Sequence, residues 1–207
     1  MHYFSKIIHS KSLLWFLLAV PAIPFVWDFI QPTIYVSEML YQTGVISTQL
    51  LVLTLCITPM VYLLKNYVWG KKFNRWLLLR RRNFGVASFI YASIHLLIYI
   101  RENFDMDILL SEAISWEYGS GWIAFVVMLP LALSSNDISM KLLGKSWKRL
   151  QQFAYLVAIV TFFHWISFGG FVIYALPWLA ILVFFRMLYF GSKLPKLLQK
   201  NDFGSRE

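Results

Sequence analysis

The sequence predicts an all-α membrane protein, a six-transmembrane-helix bundle with both termini cytoplasmic. Three observations lead there. Of the 207 residues, 59% are hydrophobic and only 14% charged, whereas a soluble domain carries about a quarter charged residues. Apolar stretches approaching the roughly twenty residues that a helix needs to cross the hydrocarbon recur six times. Lys and Arg collect in alternate connections between those stretches.

In chain order the predicted spans are residues 13–30, 45–64, 84–100, 121–135, 147–168 and 170–190. The first follows Lys6 and Lys11, as a cleaved leader would, but Pro21 and Pro24 lie within it and no small-residue cleavage site follows. It is therefore read as a retained span. Pro59, Pro130 and Pro177 fall inside later spans. Neighbouring helices can satisfy the carbonyl that each proline frees. A β-barrel would need alternating segments of about ten residues, and the chain lacks them. The connections reach about twenty residues, too few for a separate core, so residues 1–207 are read as one transmembrane domain.

The charges orient the bundle. Six spans put the tail (Lys6, Lys11), the 65–83 loop (Lys65, Lys71, Lys72, Arg75, Arg80, Arg81, Arg82), the 136–149 loop (Lys141, Lys145, Lys148, Arg149) and the C-terminal end (Arg186, Lys193, Lys196, Lys200, Arg206) on one side. That side holds eighteen of the nineteen basic residues. The other has Arg101 alone, with Asp28, Glu38, Glu102, Asp105, Asp107, Glu112 and Glu117. Cytoplasmic connections carry the excess of Lys and Arg. The same rule accounts for the net charge of +9, so nucleic acid is not an expected partner and the lipid bilayer is.

Chemistry-bearing residues are few. Cys56 is the single cysteine, which rules out an internal disulfide, a Cys-x-x-Cys metal knuckle and a Cys-x-x-Cys-His covalent haem site. No carboxylate lies deep in a span, which speaks against a proton-relay transporter. No Gly-x-Gly-x-x-Gly or P-loop is present, so a nicotinamide or ATP domain is absent. Two histidines do lie in spans, His95 and His164, while His2 and His9 sit in the tail. At about 1.5 Å rise per residue, His95 and His164 fall at similar depth in the outer leaflet. Two readings stand: an interhelical hydrogen-bonding pair, or two axial ligands of one non-covalent haem suited to electron transfer. Arg80, Arg81 and Arg82 likewise read either as a topology signal with lipid-headgroup contact or as partners of a haem propionate or flavin phosphate.

A family pattern adds to this. Arg81-Arg82-Asn83-Phe84-Gly85, then Tyr91-Ala92-Ser93-Ile94-His95-Leu96 and Tyr99, resemble the Arg-Arg-x-x-Gly…His-Leu…Tyr run of the MsrQ (YedZ) family. Leu131-Ala132-Leu133-Ser134-Ser135, Leu143-Gly144-Lys145, Trp147, Leu150, Tyr155-Leu156-Val157-Ala158-Ile159 and His164 resemble it too, as do Thr43-Gly44 and Ile57-Thr58-Pro59. The resemblance covers about residues 40–165. It implies a ferric-reductase-like membrane subunit of a bacterial inner membrane that binds haem b and FMN. It also implies electrons taken from the quinone pool or a cytosolic flavin reductase and passed to a periplasmic molybdenum partner, MsrP, which reduces methionine sulfoxide in oxidised proteins. The sulfoxide chemistry would be the partner's. His95 and His164 fall on two of the family's histidine positions. The chain departs at Leu150-Gln151, where the family has Leu-His. Gln is a poor iron ligand, so the resemblance carries one haem at the outer pair, while a second, inner haem would need another ligand, and Gln151 would at most hydrogen-bond a quinone or a propionate. The rivals are a stand-alone ferric reductase or cytochrome b561-like quinol oxidase and, in another class, a haem-free transporter or assembly factor.

Overall fold

Every regular element among the described residues is helical. The computed structural model describes residues 10–30, 36–66, 70–169 and 172–204, apart from the side chains of 28–30, 66, 70 and 194–204. His2, Lys6, His9 and Arg206 lie outside the described residues, and so do the side chains of Asp28, Lys196 and Lys200.

The elements are α1 (Lys11–Ala19), α2 (Ala22–Ile30), α3 (Val36–Leu63), α4 (Gly70–Glu102), α5 (Met106–Ala113), α6 (Trp116–Leu133), α7 (Asp137–Leu143), α8 (Lys145–Gln152), α9 (Ala154–Ser167) and α10 (Val172–Gly204). Among the described residues five helical stretches are long and apolar enough to cross a membrane: Val36–Leu63, Lys71–Glu102, Trp116–Leu133, Lys145–Ser167 and Val172–Lys193. The stretch 13–30, expected as one span, instead forms the two nine-residue helices α1 and α2, neither of which is long enough alone. Pro21 has no N–H to continue the ladder, and Pro24 sits in the first turn of α2, where a missing N–H costs nothing. The pair still runs along α4. Leu14 packs with Leu77 and Phe84, Phe25 packs with Tyr91 and Ile98, and the Tyr91 hydroxyl donates to the Leu18 carbonyl at 2.7 Å.

The expected 65–83 loop is mostly helix, because α4 begins at Gly70. Leu, Lys and Arg are good helix formers, and no proline interrupts them. A long charged helix can leave the membrane without unwinding, so charge marked the end of the apolar span and not of the helix. The fifth stretch has a step at Phe153, which caps α8 and opens α9.

α3 lies at the centre. Its Leu51 and Leu55 pack with Met128, Leu131, Ala154, Val157 and Ala158, and its Val52 and Cys56 with Phe162, Trp165 and Ala175. Apolar burial does not drive helices together in lipid, so contacts and interhelical hydrogen bonds set the register. On α3 and α4 that register is explicit. The Ser47 hydroxyl donates to the Ser88 carbonyl at 2.9 Å, and the Ser88 hydroxyl donates back to the Ser47 carbonyl at 2.8 Å. Seven residues toward the acidic end along both helices His95 meets the Leu40 carbonyl, and seven toward the basic end Arg81 meets the Thr54 carbonyl. The repeat of seven is that of antiparallel helices at a shallow crossing angle.

Proline in α3 is accommodated from outside. Pro59 leaves the Leu55 carbonyl without its helical donor, and Arg186 of α10 donates to that carbonyl at 3.0 Å. The Arg186 guanidinium also hydrogen-bonds the Tyr155 hydroxyl and lies 4.4 Å from the centre of that ring.

Candidate functional site

His95 on α4 and His164 on α9 come together. Their ring centroids are 6.4 Å apart and the ring planes stand at 90°. Two imidazoles bound on opposite sides of one metal through bonds of about 2 Å would put their centroids roughly 6 to 6.5 Å apart.

Each ring is held from behind. His95 Nδ1 lies 2.8 Å from the Leu40 carbonyl and 3.4 Å from Thr43 Oγ1. His164 Nδ1 lies 2.7 Å from the Glu117 carbonyl and 3.3 Å from Ser120 Oγ. A carbonyl only accepts, so each Nδ1 carries a proton, and in the neutral ring each Nε2 keeps its lone pair. Metal-bound histidines are oriented in this way by the partner of the second nitrogen.

Both rings line one cavity of about 370 Å³ between α3, α4, α6 and α9. Such a volume lies within the range of about 300–1,000 Å³ typical of ligand sites. The walls are mainly apolar, with Val45, Leu96, Trp122, Phe125 and Met128 among them. At the acidic end the cavity is lined by Tyr99 and Tyr118, stacked at 5.5 Å. Glu112 of α5 accepts a hydrogen bond from the Tyr99 hydroxyl, tying that short helix to the cavity wall. Phe168 closes on the edge of His164 at 5.2 Å between centroids. Among the described residues no group of three or more His, Cys, Asp and Glu side chains gathers to bind a metal ion directly. The donor set is two neutral imidazoles facing an apolar slot, which suits a flat cofactor with its own equatorial ligands.

The other residues singled out in the sequence lie elsewhere. Arg81, Arg82 and Gln151 are not in the cavity wall. Arg81 and Arg82 stand fourteen and thirteen residues before His95, about 20 Å along the helix. Arg81 Nε donates to the Thr54 carbonyl at 3.1 Å, and Arg82 pairs with Asp137 at 2.6 Å. Gln151 Nε2 donates to the Leu131 carbonyl at 3.1 Å and reaches Ser134 and Ser135 at 3.2 and 3.4 Å. Sequence reading missed Leu40, Thr43, Glu117 and Ser120 as ring partners. A backbone carbonyl leaves no trace in the residue type, so only the hydroxyls gave a signal to find. Gly44 and Gly121 were also missed as contacts. A Cβ on Gly44 would lie 3.2 Å from His95 Nδ1, and one on Gly121 only 2.8 Å from His164 Cε1.

Comparison with known proteins agrees with this architecture. Residues 43–162 match the ferric reductase like transmembrane component family, a range that contains His95 and most of the cavity and stops just short of His164. Among similar proteins, one from Pectobacterium atrosepticum is 34% identical over 159 residues, covering 74% of this chain and 72% of its own. One from Azospira oryzae is 31% identical over 163 residues, covering 75% and 66%. One from Cronobacter sakazakii is 29% identical over 170 residues, covering 76% and 81%. All three are named protein-methionine-sulfoxide reductase heme-binding subunit MsrQ. The chain therefore belongs to the ferric-reductase-like transmembrane family, in its MsrQ branch. No solved structure matches.

Proposed function

We propose that this chain is the membrane electron-transfer subunit of a protein-methionine-sulfoxide reductase system, and that it holds one haem b between His95 and His164. The observation that carries this reading is the paired seating of the two rings. Both Nδ1 atoms are anchored on carbonyls, and both rings line one apolar cavity with centroids 6.4 Å apart. Haem iron held there by His95 and His164 would supply one-electron transfer. The chain's own part is to fix ring orientation through Leu40 and Glu117, and to exclude water with the apolar wall. The haem-binding names of the relatives support the same cofactor.

The proposal includes six crossings, the broken α1–α2 pair being the first, with both termini cytoplasmic in an inner membrane. Supporting it, α1 and α2 together follow α4 from Leu77 to Ile98, and the basic ends collect on one side. The cavity then lies toward the periplasm, where MsrP would accept electrons and carry out the sulfoxide chemistry. The donor would be the quinone pool or a cytosolic flavin reductase. No step is assigned to FMN. Arg81 and Arg82, the groups suggested for a haem propionate or a flavin phosphate, each make one contact in the protein, with the Thr54 carbonyl and Asp137.

The test is a pyridine haemochrome assay with protein quantitation on the purified wild type, His95→Ala and His164→Ala. About one haem per wild-type chain is expected, with the Soret band lost in both variants. Unchanged haem content in both would refute the ligand assignment, and a colourless wild type from haem-replete cells would refute the function.

A further inference from the structure

Resting on the haem reading above, we infer that the bundle contains one imidazole seat built twice, and that Thr43, Gly44, Ser120 and Gly121 are positioning residues that hold the two rings at right angles. The two seats use the same parts in the same order. A backbone carbonyl takes Nδ1–H (Leu40 and Glu117), a hydroxyl follows three residues later (Thr43 and Ser120), and a glycine four residues later (Gly44 and Gly121). Positions i, i+3 and i+4 share one helix face, so α3 and α6 each present the complete set to one ring. The carbonyl fixes the tautomer. The hydroxyl turns back on its own helix, Thr43 to the Met39 carbonyl at 2.7 Å and Ser120 to the Glu117 carbonyl at 2.8 Å, and so stands as a stop beside Nδ1. The glycine leaves the space that the ring fills.

The seat is complete only at the acidic end. Two heptads inward, the corresponding carbonyls of Thr54 and Leu131 are taken by Arg81 and Gln151. The glycine positions there are Thr58 and Ser135, so no equivalent clearance exists.

The consequence is electronic. The seats set the ring planes at 90°. Each axial imidazole perturbs the two π-type iron d orbitals unequally, along directions set by its plane. Perpendicular rings cancel that difference, whereas parallel rings add it. A ferric low-spin centre held this way has nearly degenerate orbitals and a strongly anisotropic g tensor. Orientation of the first ligands by outer partners is the general route to such tuning.

The experiment is low-temperature electron paramagnetic resonance of the purified ferric protein. The wild type is expected to show the single, strongly shifted low-field feature of perpendicular ligands, in place of a rhombic three-line spectrum. Gly121→Ala, whose Cβ must displace His164, is expected to move the signal to a rhombic or high-spin form. Gly44→Ala, with a looser contact, should shift it less. Thr43→Val and Ser120→Ala, which add no bulk, keep the test available if Gly121→Ala does not accumulate. Each should rotate its ring and change the g values, and Thr43→Ser should restore them. A rhombic wild-type spectrum, or g values unchanged in every variant that accumulates, overturns the proposal. Absence of any haem signal from the wild type instead overturns the haem reading on which it rests.

Discussion

Gln151 shows how much a single residue settles. Its amide nitrogen is tied to the Leu131 carbonyl and shared with Ser134 and Ser135, which fixes it against the end of α6. Gln151→His is therefore expected to leave haem content near one per chain by pyridine haemochrome, since among the described residues no second imidazole stands opposite. A rise toward two would contradict this. Asp137 offers a pH test outside the membrane. The Arg82 guanidinium hydrogen-bonds its carboxylate and holds it below the ordinary aspartate range. A lowered carboxyl stabilises the fold above its unfolded pKa, about 3.9, and that contribution is lost as pH falls through the lowered folded value. Asp137→Asn should thus remove part of the acid-side loss in a thermal-shift series run below about pH 4. The pair is exposed, so added salt should shrink the difference. At this scale the histidines were legible from residue type and depth. Their partners were not, because two of the four are backbone carbonyls.

Among the elements, α3 carries the sharpest prediction. Pro59 frees the Leu55 carbonyl and Arg186 occupies it. Loss of a charged hydrogen-bond donor to a buried acceptor costs about 1.5–3 kcal/mol. Arg186→Met should lower thermal stability in detergent by that order. Pro59→Ala restores a helical N–H, so adding it to Arg186→Met should recover part of the loss. A double-mutant cycle with no coupling would show that the two do not share the carbonyl. Element boundaries were the least legible feature of the sequence. Hydropathy marks the membrane, whereas α4 runs on through Arg80, Arg81 and Arg82 because backbone hydrogen bonding is indifferent to side-chain charge. The opposite occurs at Pro21, where an apolar run breaks because a donor is missing.

For the whole molecule the prediction concerns orientation. A cysteine placed at Asp107, on the exposed outer helix α5, is expected to react with a membrane-impermeant thiol reagent added to intact cells whose outer membrane is opened. One placed at Lys141 on α7 should react only after the inner membrane is breached. Buried Cys56 should stay silent in both cases. The reverse labelling pattern would invert the topology. Composition and charge order determined that this is a helical membrane protein, with basic and acidic residues gathered at opposite ends, because insertion energy and the Lys and Arg bias depend on residue type and order alone. Motif spacing also determined that His95 and His164 lie at one depth, since helix rise is constant. Only the tertiary structure decided that the two rings face each other at right angles across one cavity, with Arg81, Arg82 and Gln151 elsewhere. Rotation of one helix against another is set by interlocking contacts such as the reciprocal Ser47–Ser88 bonds and the glycines behind each ring. Those contacts join residues far apart in the chain, and no local pattern encodes them.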